Sequence, residues 1–368
     1  MFKFFKKKAT SEIVENKPQL EEAPIELRPC YAEGYDEGSN TIVRLVGKAR
    51  SDKAYKVSGI DDVASKNNWK AWIYLFPVIV LIAVFLIYPL INTIFIAFTK
   101  NYQYSSGQYD GLTLENFGVI LKLTQYQSEG GILAYEQFFT QYAIPNTFII
   151  VFVTVPISTA LALIISVALN SIKWFQKFLQ TVFFLPYVTN GIAVGMVFSV
   201  MFSNNGVINY IFGIEKVWIG MGADTLTGMI PLCAYIIWSS IPFKILVFLS
   251  GLQGIDKQYY QAAQIDACPK WKVLLKITVP LLSPQILYII ITSFIGAFKE
   301  YTSVVGLFGG PGTGGTAGDP NMETIVYYIY DKLTTQTSLA AAAAVFLFVI
   351  ILIFTAIQFA VSKKRVHY

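Results

Sequence analysis

Six stretches of this chain are apolar over a length that suits a membrane-spanning helix. About 20 consecutive helical residues cross the hydrocarbon core of a bilayer, and each stretch comes close to or exceeds that length. The predicted spans cover residues 72–98, 143–169, 178–202, 229–249, 285–308 and 339–361. The pattern therefore predicts an all-α membrane protein with six transmembrane helices, whose intervening polar segments form loops.

Proline occurs inside or at the edge of several predicted spans. Proline removes a backbone hydrogen bond and kinks a helix, which membrane proteins tolerate where neighbouring helices satisfy the freed carbonyls. Kinked helices often line a pathway, but plain helix packing explains a single proline equally simply. The positions are Pro77, Pro89, Pro145, Pro156, Pro186, Pro231 and Pro242.

Composition agrees with the span pattern. Hydrophobic residues make up 54% of the 368 residues and charged residues only 14%, which excludes an ordinary soluble protein. The net charge of +5 follows from membrane topology and gives no reason to expect nucleic acid as a partner. Membrane lipid is the first partner that the sequence predicts.

The basic residues predict the orientation of the spans. With a cytoplasmic N-terminus, 22 of the 28 Lys and Arg residues fall in the cytoplasmic segments. This bias follows the positive-inside rule and predicts a plasma-membrane protein with both termini in the cytoplasm. It also places the polar loop 251–284, between the fourth and fifth spans, on the cytoplasmic side.

The chain divides into two predicted regions. Residues 1–70 are polar and form a cytoplasmic extension that is mostly flexible, and residues 71–368 form the six-helix domain. The extension begins with the basic stretch MFKFFKKK, but no apolar segment follows it, so a cleaved signal peptide is not expected. A solvated basic tail and a membrane-surface foot are both compatible with it.

The residues that usually carry catalysis are scarce. The single histidine, His367, excludes a histidine-based triad and a multi-histidine metal site, and three scattered cysteines predict neither a disulfide framework nor a metal cluster. There is no Walker A sequence, so the chain has no P-loop for ATP. We therefore predict no catalytic residue, no metal and no cofactor in this chain.

The polar loop 251–284 contains the most specific motif. It reads Gln261-Ala262-Ala263, then Asp266-Ala267, and continues through Ile277 to the Pro-Leu-Leu-x-Pro sequence at 280–284. The first part favours a short helix, which Pro269 ends. Two adjacent small residues, Ala262 and Ala263, would let this helix lie in the groove of another protein.

This motif resembles the EAA loop of permease subunits in binding-protein-dependent ABC importers, of the MetI-like or MalF-like type. Here Gln261 replaces the family's glutamate and Ala267 replaces its glycine. Two further segments support the resemblance, the Gly-Gly-Pro sequence at 309–311 and the aromatic stretch at 327–330. The resemblance implies that the loop is a coupling helix for an ATPase, with contacts through Gln261, Ala262, Ala263, Asp266 and Ala267.

The same resemblance implies a solute pocket in the fourth and fifth spans. Trp238 and Pro242 match one element of the maltose-type site, and Ser293 with Phe294 matches another. Carried over by position, the contacts fall on Ser239, Ser240, Phe243, Ser293, Gly296, Ala297 and Glu300. At Gly296, Ala297 and Glu300 the maltose-type site has one Phe and two Asn, so this pocket is expected to be roomier and to carry a charge.

Charged residues within the spans give a related expectation. Lys244, Lys299 and Glu300 lie in the predicted fourth and fifth spans, where an ionisable group is costly and usually faces a cavity or a partner. Lys299 and Glu300 are neighbours in sequence and point about 100° apart on a helix, so each needs a partner elsewhere. Alternatively, the fifth helix ends sooner and both lie near the outer interface.

The resemblance implies a sugar permease with several partners. These are a second, MalG-like permease subunit, a MalK-like ATPase dimer that binds ATP and Mg²⁺, an extracellular solute-binding protein and a sugar substrate, with the chain itself not an enzyme. An ABC permease for another polar solute is one alternative, and an ion-driven secondary transporter is another. The latter often shows inverted repeats and midplane carboxylates, whereas this sequence shows no convincing repeat and a single acidic residue, Glu300, well inside a span.

Overall fold

The computed structural model describes residues 68–127, 133–172, 176–219, 223, 225–309 and 322–362. The chain forms two compact units, residues 1–79 and 80–368. Of the first unit only residues 68–79 are described. The predicted extension 1–70 therefore lies almost entirely outside the described residues, and every helix and strand beyond position 82 belongs to the second unit.

The described chain is mostly helical, which confirms the all-α prediction. The helices are α1 Asn68–Ile82, α2 Tyr88–Ala97, α3 Glu115–Ile120, α4 Ile144–Ser171, α5 Gln176–Val188, α6 Gly191–Met201, α7 Val207–Phe212, α8 Thr225–Gln253, α9 Lys257–Ile265, α10 Lys270–Val273, α11 Val279–Leu281, α12 Ser283–Phe298, α13 Thr302–Phe308, α14 Ile325–Lys332 and α15 Thr337–Ser362. Short π-helical turns, Ala83–Ile87, Phe139–Ala143 and Leu274–Thr278, join α1 to α2, lead into α4 and join α10 to α11. Thr99–Lys100 pairs antiparallel with Gly111–Leu112, and Tyr126–Gln127 pairs with Leu133–Ala134.

Four helices among the described residues are continuous and apolar enough to cross a membrane. They are Trp72–Ala97, Phe139–Ser171, Leu226–Gln253 and Thr337–Ser362. Two more candidate spans are bent pairs, Phe178–Val188 with Gly191–Met201 at 94° and Lys270–Leu281 with Ser283–Phe298 at 70°. The six predicted spans thus overlap six apolar segments if each bent pair is counted as one span, although the second pair is bent at Leu282, just before the predicted start of the fifth span at 285.

The third span is not the continuous helix that the sequence predicted. Its chain turns at Thr189 and Asn190, shortly after Pro186. The Asn190 side chain accepts a hydrogen bond from the Ile192 amide at 2.9 Å and so begins α6 in a new direction. The prediction of one helix over 178–202 was wrong because this side-chain cap competes locally with helix continuation.

The predicted fifth span, 285–308, is also wrong as a single helix. Helix α12 ends at Phe298, and the separate helix α13 begins at Thr302. The Glu300 carboxylate accepts a hydrogen bond from the Ser303 amide at 2.9 Å, and this bond satisfies one amide of the first turn of α13. The alternative that the fifth helix ends before Lys299 and Glu300 is therefore the one observed.

The α4–α8 contact forms the centre of the helical domain. Its largest side chains come from α8, with Phe248 and Ile245 almost fully buried, and Ala162 on α4 lies in the same cluster. Lys244 is buried in this seam at 3% exposure, and its ammonium group donates a hydrogen bond to the Ser158 hydroxyl on α4. The sequence predicted that Lys244 faces a cavity or a partner, and its partner is the Ser158 hydroxyl group. Within the described ranges no carboxylate forms an ion pair with Lys244.

Helix α15 packs through its small residues. The alanines at positions 340–343 are between 0% and 7% exposed, and small residues of this kind let neighbouring helices approach closely. Ala341, Ala342 and Ala343 lie in a cluster with Phe139 and Tyr328, whose rings are 5.0 Å apart. Helices α2 and α14 pack against α15, while from Val80 to Asn92 every side chain is exposed.

The segment before α14 buries a carboxyl group in acidic surroundings. Glu323 is 7% exposed, and burial raises its pKa to about 8, with further increases from Asp331 and Glu136 and an opposing effect of Lys332. The Glu323 carbonyl accepts a hydrogen bond from the Asn146 amide at 3.0 Å, which holds this segment on α4. At neutral pH the Glu323 side chain is therefore mostly protonated.

Protonation of Glu323 makes stability depend on pH. In the folded protein the pKa of Glu323 lies above the ordinary value of 4.5, so protonation of this carboxyl favours the folded state. This contribution to the free energy of unfolding is complete below about pH 4.5 and is lost as the pH rises through about 8. We expect the wild type to lose on the order of a few kcal/mol relative to Glu323→Gln between pH 6 and 9. Thermal unfolding of both proteins at the two pH values measures this difference. Glu115→Gln removes an exposed carboxylate and should show the same pH dependence of stability as the wild type. The prediction would be contradicted if the stabilities of the wild type and Glu323→Gln changed equally between the two pH values.

Candidate functional site

The predicted coupling loop contains the short helix that its sequence favoured. Helix α9 begins after Asp256, whose side chain accepts a hydrogen bond from the Gln258 amide at 3.0 Å, and it ends at Ile265. It starts four residues before Gln261, and Pro269 precedes the next helix, α10. The predicted short helix is thus present, but it ends at Ile265, before Pro269, which instead precedes α10. The contact with an ATPase stays a prediction.

The exposed face of α9 differs from the face that the motif suggested. Ala263 is only 5% exposed and is buried by this chain itself, whereas Ala262 and Gln261 are exposed. Ile265 lies two residues after Ala263, about 200° around the helix, and is 86% exposed. The pair of alanines therefore does not form one exposed surface, and Gln261 and Ile265 point away from the protein.

The turn after the loop helix suits the glycine found at this position in the EAA loops that the motif resembles. Ala267 follows α9 with φ of 48°, in the left-handed region that L-residues with a β-carbon rarely adopt. The Cys268 amide donates to the Ala263 carbonyl at 3.0 Å and closes this turn. Gln261, Ala262, Asp266 and Ala267 are all exposed around it.

Replacing Ala267 with glycine should stabilise the loop. Glycine has no β-carbon and adopts this backbone conformation without strain, so we expect Ala267→Gly to raise the free energy of unfolding by about 1 kcal/mol. Chemical or thermal unfolding of the purified protein measures the change. Ala262→Gly is the matched control, because glycine inside α9 should destabilise instead. A lower stability for Ala267→Gly would contradict the observed turn.

A cavity lies at the base of this loop. It measures about 650 Å³ and is lined by α8, the start of α9 and the start of α12, including Gly251, Asp256, Tyr259 and Gln285. The Gln285 side-chain oxygen is buried with no hydrogen-bond partner among the described residues.

The predicted pocket residues on α8 are partly exposed. Ser239 and Ser240 donate their hydroxyl hydrogen bonds to the carbonyls of Ile236 and Ile237, at 3.1 and 3.0 Å. Each oxygen keeps acceptor capacity for a ligand. Phe243 is partly exposed one turn further along the same helix.

Sequence reasoning missed Tyr187, which stacks on Phe243. The two ring centroids are 5.8 Å apart with planes 22° from parallel, and Tyr187 is 53% exposed. Tyr187 lies at the end of α5, beside the break in the third span, 56 positions before Phe243. Neither proximity in sequence nor helical spacing could have paired these rings.

The predicted residues on α12 separate into two groups. Gly296 is exposed, and a β-carbon there would have no atom within 4 Å, while Ser293 is partly exposed. Ala297 is 7% exposed and packs in the core instead. Gly296 thus leaves space for a side chain in this chain, whereas Ala297 packs in the core, and the roomier pocket stays a prediction.

Glu300 belongs to a polar junction between the two broken spans. Its carboxylate caps α13, and its backbone carbonyl accepts a hydrogen bond from the Thr324 hydroxyl at 2.9 Å. Tyr235 on α8 donates a hydrogen bond to the Gly191 carbonyl at 2.5 Å. This junction ties the starts of α6, α13 and α14 to the middle of α8.

The comparisons with known proteins agree on one family. The "Binding-protein-dependent transport system inner membrane component" family matches residues 160–367, more than half of the chain. The chain belongs to this family. The permease is also 30% identical over 304 residues to the lactose transport system permease protein LacF of Rhizobium radiobacter, covering 80% of this chain and 94% of that one.

Further relatives extend the match. The permease is 32% identical over 227 residues to the arabinooligosaccharides transport system permease protein AraP of Halalkalibacterium halodurans, covering 59% of this chain and 68% of the other. Among solved structures, a bacterial ABC transporter for import of the acidic polysaccharide alginate superposes with a TM-score of 0.65. That match covers 83% of this chain and 98% of the other at 20% identity, and it shows the shared fold. The permease is thus a multi-pass inner-membrane component of a binding-protein-dependent transport system, as the sequence indicated.

Proposed function

We propose that this permease forms one half of the membrane path of an ABC importer for an oligosaccharide. The observation that carries the proposal is the partly exposed ring stack between Tyr187 on α5 and Phe243 on α8, the second of which is a predicted pocket residue. Sugar rings have apolar faces that stack on aromatic rings, while their hydroxyls pair with groups such as Ser239 and Ser240. The relatives named for lactose and for arabino-oligosaccharides support a carbohydrate.

The partners follow from the same proposal. An extracellular binding protein delivers the sugar, a second permease subunit completes the path, and a separate ATPase dimer binds ATP and Mg²⁺. Helix α9 docks on the ATPase through its exposed side, where Gln261 and Ile265 lie. With N- and C-termini in the cytoplasm, this loop is on the side where ATP is available. ATP-driven closure of the ATPases then rocks the two permeases between outward and inward states.

Purification of the complex tests this function. The chain is isolated in mild detergent from its host, and mass spectrometry identifies the accompanying proteins. We expect a second permease and an ATPase, whose hydrolysis is stimulated by the binding protein loaded with a saccharide from a screen. A lone chain that moves solute in liposomes under an ion gradient would overturn the proposal.

Substitution of Phe243 tests the pocket. Removing a ring that stacks on the sugar costs about 1.4 kcal/mol, so Phe243→Ala should raise the half-saturation concentration for uptake about tenfold. Phe359→Ala, an exposed phenylalanine on α15, is the matched control and should leave uptake unchanged.

Glu300→Gln tests whether the charge of Glu300 matters for uptake, apart from its role in holding the start of α13. Glutamine can still accept the hydrogen bond from the Ser303 amide, so α13 keeps its cap and a change in uptake reports the charge. Wild-type uptake in both Phe243→Ala and Glu300→Gln would place the binding site elsewhere.

A further inference from the structure

Two tyrosines form a tight stack just beyond α12. The ring centroids of Tyr301 and Tyr330 are 4.2 Å apart, and their planes are 20° from parallel. Tyr327, one turn earlier on α14, lies 6.2 Å from Tyr301. Tyr330 is 51% exposed, so the ring face that Tyr301 does not cover is open. We call Tyr301, Tyr327 and Tyr330 the tyrosine platform.

The platform is held in place by backbone contacts. The Thr324 hydroxyl donates to the Glu300 carbonyl at 2.9 Å and accepts from the Tyr327 amide at 3.2 Å. These bonds join the residue before Tyr301 to the first turn of α14, which carries the other two rings. The rings are thus arranged before any ligand arrives, which lowers the entropy cost of binding.

The platform lies next to Glu300, one of the predicted pocket residues, because Tyr301 directly follows it in the chain. Gly296, where a β-carbon would meet no neighbour, lies five residues before Tyr301, in the last turn of α12. Lys299 lies between them and is exposed. Asp331 and Lys332, which directly follow Tyr330 and are partly exposed, add an acceptor and a donor within 3.8 Å of each other. An aromatic face is thus surrounded by groups that can pair with hydroxyls.

We propose that the tyrosine platform is a second sugar subsite, which binds one ring of an oligosaccharide while another ring occupies the pocket around Gly296 and Phe243. The proposal rests on the proposed function. The apolar face of the sugar ring stacks on the open face of Tyr330, and its hydroxyls reach the polar groups around the platform.

A second subsite should affect long saccharides more than short ones. The test uses the complete importer in membranes of its host, with malto-, xylo- and arabino-oligosaccharides of two to six units as probes. In Tyr330→Ala we expect the half-saturation concentration for the longer saccharides to rise about three- to tenfold, with disaccharide uptake and maximal rates unchanged. Tyr330→Phe keeps the ring and should behave as the wild type. Tyr210→Ala, which removes an 89% exposed tyrosine on α7, is the matched control.

The possible outcomes distinguish a failure of the subsite proposal from a failure of the proposed function. Saccharide uptake by the wild type with unchanged Tyr330→Ala kinetics at every length overturns the subsite alone, whereas no uptake of any probe by the wild type overturns the proposed function together with it. If Tyr330→Ala reduces the amount of protein in the membrane, Tyr330→Leu keeps the apolar volume and should show the same length-dependent loss. Wild-type kinetics in Tyr330→Leu would show that sugar uptake does not need the aromatic ring, which would then serve as an interfacial anchor, and would overturn the proposal.

Discussion

Replacing Gly195 with alanine should destabilise the permease strongly. Helices α6 and α13 cross where Gly195 faces Gly306, and a β-carbon at Gly195 would lie 2.7 Å from two backbone atoms of Gly306. Backbone atoms cannot rotate away as a side chain can, so the two helices must separate and lose their packing. Overpacking of this kind costs about 1–3 kcal/mol, which lowers the unfolding midpoint by roughly 1–4 °C in a chain of this length.

A glycine on a neighbouring helix supplies the control for this crossing. Gly296→Ala adds the same methyl group where no atom lies within 4 Å, and it also gains helix propensity. Its midpoint should equal or exceed that of the wild type. Thermal unfolding of the detergent-purified complexes measures both variants. If Gly195→Ala has the same unfolding midpoint as the wild type, α6 and α13 do not cross as described.

The second large effect is expected at Ile265. This residue is 86% exposed on α9, although isoleucine gains from burial, and it lies on the helix side opposite the buried Ala263. If α9 docks on an ATPase, burying Ile265 contributes about 1.5–3 kcal/mol to the contact. Ile265→Asp replaces that contribution with a desolvated charge, so transport should fall at least about tenfold while the amount of protein in the membrane stays normal.

Two changes on the same helix complete the experiment. Gln264→Asp introduces the same charge on an exposed position about 100° away and should transport at near the wild-type rate. Ala263→Asp places a carboxylate inside this chain and should lower the amount of folded protein, so it tests packing and not docking. Normal uptake in Ile265→Asp would argue against α9 as the coupling helix.

The loop shows how far the sequence could go. Its polar composition, the proline at 269 and its position between two apolar stretches predicted a helix and its end, because these signals act within a few residues of chain. Which side of that helix faces outward was not predictable. Ala262 and Ala263 look equivalent in sequence, and only packing against the rest of the chain buries one of them.

The sequence by itself determined the class, the number of apolar segments and the family, because hydrophobicity over about 20 residues and a spaced motif are local properties. Tertiary structure alone decided where two spans break. The caps made by Asn190 and Glu300 end one helix and begin another, and both breaks are held in one junction with Tyr235. It also decided which predicted pocket residues are exposed and which rings meet, since Tyr187 and Phe243, or Tyr301 and Tyr330, become neighbours only through helix packing.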